Sequence, residues 1–200
     1  MPPDIPGALE ARRRVAAQLR SLADHLVGVE LDDAGWGRVE GQLATVLAEL
    51  PDHRADPSPF AMLSAADPTG RISFAHHPLT VGASATFPEV HLEEGEGTVR
   101  GRLRFGPAWE GPAGTVHGGF IAATFDLGLS RVAVRELGLC VTRWLRLRYL
   151  RPTPLDRDLE LEVTAGERDG RLLEVRGQIL DEGRVTARAV AQFASVTARG

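Results

Sequence analysis

Residues 117 to about 136 constrain the fold of this chain more than any other stretch. Phe120, Ile121, Ala122, Ala123, Phe125, Leu127, Leu129 and Val132 leave the segment almost no polar face, and a helix that is apolar all round has to be buried all round. With 200 residues, 43% hydrophobic and 25% charged, the chain is long enough to bury it in one domain, with room for an appendage. What covers the helix is written in the flanking sequence. Val99, Gly101, Leu103 and Phe105 alternate with Arg100, Arg102 and Arg104, the two-residue period of a half-buried strand. Similar runs recur at Leu159, Leu161 and Val163, at Leu173, Val175 and Ile179, and at Val185, Ala187, Ala189, Ala191 and Phe193. Gly95 and Gly97, Asp169-Gly170 and Glu182-Gly183 punctuate them with tight-hairpin signals. One buried helix among five or six antiparallel strands predicts an α+β fold in which a curved sheet wraps the helix.

The first third of the chain has a different period. Val15, Leu19, Leu22 and Leu26 follow a 4-3-4 spacing, which predicts an amphipathic helix over residues 7 to 27. Val39, Leu43, Val46 and Leu50 repeat the pattern and stop at Pro51, a residue that a helix interior does not tolerate. The two are read as a helical hairpin. Pro51, Pro57, Pro59, Pro68 and Gly70 then mark a loop-rich linker. The expected division is residues 1–60 as helical extension and linker, and residues 61–200 as the main domain.

Charge and cysteine content remove several classes of function. A net charge of -4 with a pI near 5.9 repels polyphosphates, so nucleic acid is not an expected partner. The single cysteine, Cys140, cannot form an internal disulfide or a thiolate cluster, which suits a reducing cytoplasm. Neither a secretion signal nor a run of about 18 apolar residues is present, and the expected localisation is cytoplasmic with no membrane partner. Arg12-Arg13-Arg14 reads as a solvated helix face. No Gly-x-Ser-x-Gly elbow or Walker loop occurs. The adjacent His76 and His77 would point oppositely on an extended segment. No metal or cofactor is expected.

The chemistry gathers where the apolar helix begins. Gly114-Thr115-Val116-His117-Gly118-Gly119 leads into a helix whose first N–H groups have no intrahelical acceptors. Such donors can hold an oxyanion, and glycines let a carbonyl oxygen approach the main chain. The same glycines also suit a plain strand-to-helix turn, and the sequence leaves both readings open. Asp126 is the only ionisable residue between His117 and Arg131. A buried carboxylate is costly without a partner: either Asp126 is paired structurally, for which no basic residue precedes Arg131 on this helix, or it is retained for reactivity. Gly118 and Asp126 are eight residues apart, roughly 12 Å along a helix axis. Both can serve one carbonyl only if two helices contribute to each site, which calls for a symmetric homodimer.

Trp109-Glu110-Gly111-Pro112-Ala113-Gly114-Thr115-Val116-His117-Gly118-Gly119 followed by Asp126 resembles the PaaI-like branch of the 4-hydroxybenzoyl-CoA thioesterase superfamily. The resemblance spans about residues 76 to 198 and includes His77-Pro78-Leu79 and Tyr149-Leu150-Arg151-Pro152-Thr153. It implies a hotdog fold, a homodimer or homotetramer, and metal-free hydrolysis of an acyl-CoA substrate. By the same resemblance, the main chain at Gly118 or Gly119 polarises the thioester carbonyl, and Asp126 of the partner subunit activates water or attacks directly. Thr142 falls where the family places a hydroxyl that positions this water, although a β-branched strand residue is also ordinary there. His117 is read as an orienting residue. Glu110, Val116, Arg146 and Arg148 are the candidate substrate-binding residues, the arginines as phosphate contacts or as a solvated strand surface. Where the common family pattern has Asn or Gln before the His, this chain has Glu110 and Gly111. That departure motivates the alternative of a non-catalytic hotdog module that binds acyl-CoA as a sensor. A hotdog dehydratase or hydratase lacks its expected acidic and histidine motifs here.

Overall fold

The computed structural model describes residues 6–50, 84–112 and 114–196. Two helices, α1 (Pro6–Gly28) and α2 (Asp33–Glu49), precede strands β1 (Val90–Gly95) and β2 (Thr98–Leu103). A 3-10 turn (Pro107–Trp109) leads to the long helix α3 (Gly118–Leu137), and strands β3 (Cys140–Tyr149), β4 (Leu159–Asp169), β5 (Leu172–Asp181) and β6 (Arg184–Ser195) complete the fold. The expected boundary near residue 60, the proline-rich linker, and His76, His77 and the His77-Pro78-Leu79 stretch lie outside the described residues. No helix among the described residues is long and apolar enough to cross a membrane.

The six strands form one antiparallel sheet in the order β1-β2-β4-β5-β6-β3. This is the hotdog arrangement: the sheet curls around α3, and the helical hairpin α1/α2 is appended at the N-terminal end. Alternation sets the inner face. Val99, Leu103, Leu159, Leu161, Val163, Leu173, Val175, Ile179, Ala187, Ala189, Ala191 and Phe193 are all buried, at the positions the two-residue period marks. Glu182 and Gly183 both take positive φ, 48° and 74°, as a two-residue hairpin between right-twisted strands requires.

Helix α3 buries Ile121, Thr124, Phe125, Leu127, Gly128, Leu129, Val132, Ala133 and Leu137. At Gly128 and Gly177 the helix and sheet approach so closely that an added Cβ would lie 2.7 Å from Leu161 Cδ2 and 3.4 Å from Phe125 Cδ1, respectively. Yet the helix is not buried all round within one chain. Gly119 is exposed, and Ala122, Ala123, Asp126 and Ser130 are only half-buried. Apart from the adjacent Ala122 and Ala123, these residues follow one another at three- and four-residue steps and make a seam along one helix face. The sheet covers α3 from one side, so its opposite side stays partly open in the single chain.

Candidate active site

The segment between β2 and α3 is held by its own backbone. The Gly111 N–H donates to Thr115 O at 2.8 Å and the Thr115 N–H to Pro112 O at 2.9 Å, while Glu110 and Val116 form an isolated antiparallel bridge. Gly114 has φ 73°, a conformation that costs any residue with a Cβ. The Glu110 carboxylate caps this turn by accepting the Gly114 N–H at 2.6 Å. The Val116 N–H donates to Thr153 O at 2.8 Å, and the His117 N–H to Trp109 O, also at 2.8 Å. The turn is thereby stitched to the stretch after β3 on one side and to Trp109 on the other. Trp109 is buried and meets Phe120 edge-on, with ring centroids 6.5 Å apart.

His117 is the N-cap of α3, and its Nδ1 accepts the Gly119 N–H at 3.1 Å. Nδ1 is therefore the unprotonated ring nitrogen in this geometry. The first helical N–H, that of Gly118, has no intrahelical acceptor and makes no hydrogen bond to another described residue. Of the two glycines singled out in the sequence, one has its donor engaged by the cap and the other has its donor open. Tyr149, at the end of β3, donates its hydroxyl to Gly118 O at 2.9 Å and lies so close that a Cβ on Gly118 would be 3.1 Å from the Tyr149 Oη. Tyr149 stands inside the quoted Tyr149–Thr153 stretch, but its partner is 31 residues away. No local sequence pattern announces such a contact.

Asp126 is half-buried on the open seam of α3. Its Oδ1 accepts the Thr142 hydroxyl at 3.1 Å, so the two residues come together although they lie on different elements. The basic residue that ends the apolar run, Arg131, faces elsewhere and lies 3.5 Å from Glu94. Burial pulls the Arg131 guanidinium below its ordinary value, and Glu94 opposes that shift. Asp126 thus has a neutral hydroxyl and no salt bridge among the described residues.

Of the other candidates, Val116 adjoins the helix start, while Arg146 and Arg148 lie on β3. Val116 is buried in the core cluster. Leu145 and Leu147 pack toward α3, so the alternating Arg146 and Arg148 face the outer surface of the sheet. Arg146 lies over the Trp144 ring at 4.9 Å, and Arg148 stands opposite Arg188 on β6. Within one chain these arginines do not share a face with Gly118. Cys140 is half-buried at the start of β3, and burial raises its thiol from the ordinary 9.0 to about 11. A thiol so shifted is protonated at neutral pH and is a poor nucleophile.

A long helix wrapped by a curled six-stranded antiparallel sheet defines the class of hotdog domains. Comparison with known proteins carries this further. Residues 113–187 match the family model described as the thioesterase superfamily. The crystal structure of a thioesterase superfamily protein superimposes with a TM-score of 0.78 at 27% identity, covering 92% of this chain and 90% of that one. Two shorter structures share the fold. A mutant of the phenylacetic acid degradation protein PaaI from Thermus thermophilus has 21% identity, covers 56% of this chain and 96% of its own, and has a TM-score of 0.52. A hypothetical thioesterase with coenzyme A from Streptococcus pneumoniae has 23% identity, covers 56% and 92%, and has a TM-score of 0.50. Over residues 113–187 the chain is thus similar to the thioesterase superfamily, and it shares the hotdog fold with these structures.

Proposed function

We propose that the protein is an acyl-CoA thioesterase that works as a homodimer with two equivalent sites. The observation that carries this reading is the open Gly118 N–H beside an N-cap that has already engaged Gly119. In the reaction, the thioester carbonyl oxygen accepts that N–H. Asp126 of the partner subunit takes a proton from water, the water oxygen bonds to the carbonyl carbon, and the C–S bond breaks. The sulfur leaves as coenzyme A thiolate and is protonated, and the acyl group departs as the free acid. Direct attack by the Asp126 carboxylate, followed by hydrolysis of the anhydride, gives the same products. Thr142, bonded to Asp126, orients the carboxylate and the water. One oxyanion donor is worth roughly 10²–10³ in rate, and a positioned general base roughly 10²–10⁴.

Two features support the dimer. Gly118 and Asp126 lie too far apart on one helix, roughly 12 Å by rise per residue, to serve one carbonyl. The small-residue seam that carries Asp126 is partly open, and β3 is an edge strand whose Val141 and Tyr149 are more than half exposed. A two-fold axis there would pair the edges and bring each seam against its counterpart.

Asp126→Ala is the direct test. Free-thiol release from a panel of acyl-CoA thioesters is expected to fall at least ~100-fold in kcat, with the dimer intact by light scattering. Unchanged turnover would rule out the carboxylate assignment. Glu110 is spent on the Gly114 N–H, and Gly111 offers no amide side chain, which is the observation behind the sensor alternative. Saturable binding of acyl-CoA by the wild-type chain with no thiol release would favour that alternative.

A further inference from the structure

We infer that Asp24, on the appended helix α1, is a positioning residue for the oxyanion donor at Gly118; the catalytic part of this inference rests on the thioesterase reading above. Helix α1 reaches the domain through polar side chains one turn apart. Arg20, 7% exposed, donates to Ser84 O at 2.8 Å and lies 3.6 Å from the Glu89 carboxylate. Asp24 follows four residues later, on the same helix face. Its Oδ1 accepts the Ala108 N–H at 2.9 Å across 84 residues of sequence. The carboxylate also lies directly over Gly106, where an added Cβ would come within 2.6 Å of both of its oxygens.

Ala108 is the middle residue of the 3-10 turn Pro107–Trp109, and that turn touches the start of α3 twice. Trp109 O accepts the His117 N–H at 2.8 Å, and the Trp109 ring meets Phe120. Just beyond, a Cβ on Gly111 would lie 2.8 Å from His117 Cα, so the backbone there is already against the N-cap. A continuous line of contacts runs from Asp24 through Ala108 and Trp109 to His117, whose next residue is Gly118. Asp24 touches no substrate-facing group. It fixes the 3-10 turn, and the turn fixes the peptide that precedes the open N–H. Oxyanion stabilisation depends on placement of this kind, because small displacements of a donor cost rate.

The test uses the full chain, three single variants and one double variant. Asp24→Ala removes the acceptor and is expected to lower kcat for thioester hydrolysis about tenfold with KM little changed, and to shift the Gly118 and Gly119 amide NMR resonances. Asp24→Asn keeps an oxygen that can accept the Ala108 N–H and is expected to restore both readouts to near wild type. Gly106→Ala displaces the carboxylate, so it should reproduce Asp24→Ala and add nothing when the two are combined. Asp24→Ala with wild-type kcat and unmoved glycine amides overturns the inference. So does an Asp24→Asn protein as impaired as the alanine variant. If the wild-type chain turns over no thioester, the functional reading fails, and the amide resonances alone decide whether Asp24 positions Gly118.

Discussion

Helices α1 and α3 both present apolar stripes in the sequence, and the fold uses them in opposite ways. In α3 the apolar side chains are the anchor: Phe125 and Leu129 are fully buried against the sheet. In α1 the stripe residues Val15, Leu19 and Leu26 are 54%, 43% and 41% exposed and Leu22 is half-buried, and the helix is held mainly through Ala16, Arg20 and Asp24 on the neighbouring face. Helix α2 follows α1, with Leu43, Val46 and Leu50 exposed. Apolar spacing is thus a statement about which face can be buried. Which face meets the domain depended on the groups the domain offered, here the Ser84 carbonyl, the Glu89 carboxylate and the Ala108 N–H.

This contrast can be broken by substitution, beginning where the largest effect is expected. Phe125→Ala empties a fully buried site and should cost about 3–5 kcal/mol in urea unfolding. A loss below about 1 kcal/mol would mean that α3 is not the keystone of the core. Arg20→Ala strips a buried guanidinium from the Ser84 carbonyl and Glu89 and is expected to cost about 1–3 kcal/mol. Leu19→Ala, on the exposed stripe, should change stability by no more than about 0.5 kcal/mol; a loss as large as that of Arg20→Ala would show that the stripe is covered in solution.

A separate effect, visible only at high pH, concerns the edge of the core at Cys140. Its folded thiol is raised to about 11 by burial, so the folded chain holds that proton more tightly than the unfolded chain does. The sign follows: this contribution is complete below the ordinary 9.0 and is lost as pH climbs toward about 11. Urea midpoints of the wild type should therefore decline over that interval, with the decline reduced in Cys140→Ala. Equal pH slopes in the two proteins would place the thiol in water.

Much of the site was legible in the residues themselves. The apolar run, the two glycines and the isolated Asp126 are local facts, and Thr142 came from the resemblance. The sequence left open whether the glycines served a turn or a donor. In the structure His117 Nδ1 accepts the Gly119 N–H, while that of Gly118 makes no hydrogen bond to another described residue. The burial of Val116 and the commitment of Glu110 to Gly114 were also not readable, because each depends on a neighbour whose identity the spacing does not give.

The sequence by itself determined the periods, and with them α3, the antiparallel strands and the paired helices ahead of them, because hydrophobic periodicity is local and each element carries its own signal. Its eight-residue interval between Gly118 and Asp126 also set how far apart the two lie along one helix, roughly 12 Å. Only the tertiary structure decided which face of α1 docks, that Tyr149 closes on Gly118, and that Asp24 reaches Ala108. Those are contacts between groups 31 and 84 residues apart. A hydrogen bond over that separation leaves no periodic trace, since its two partners meet only after the sheet has curled around the helix.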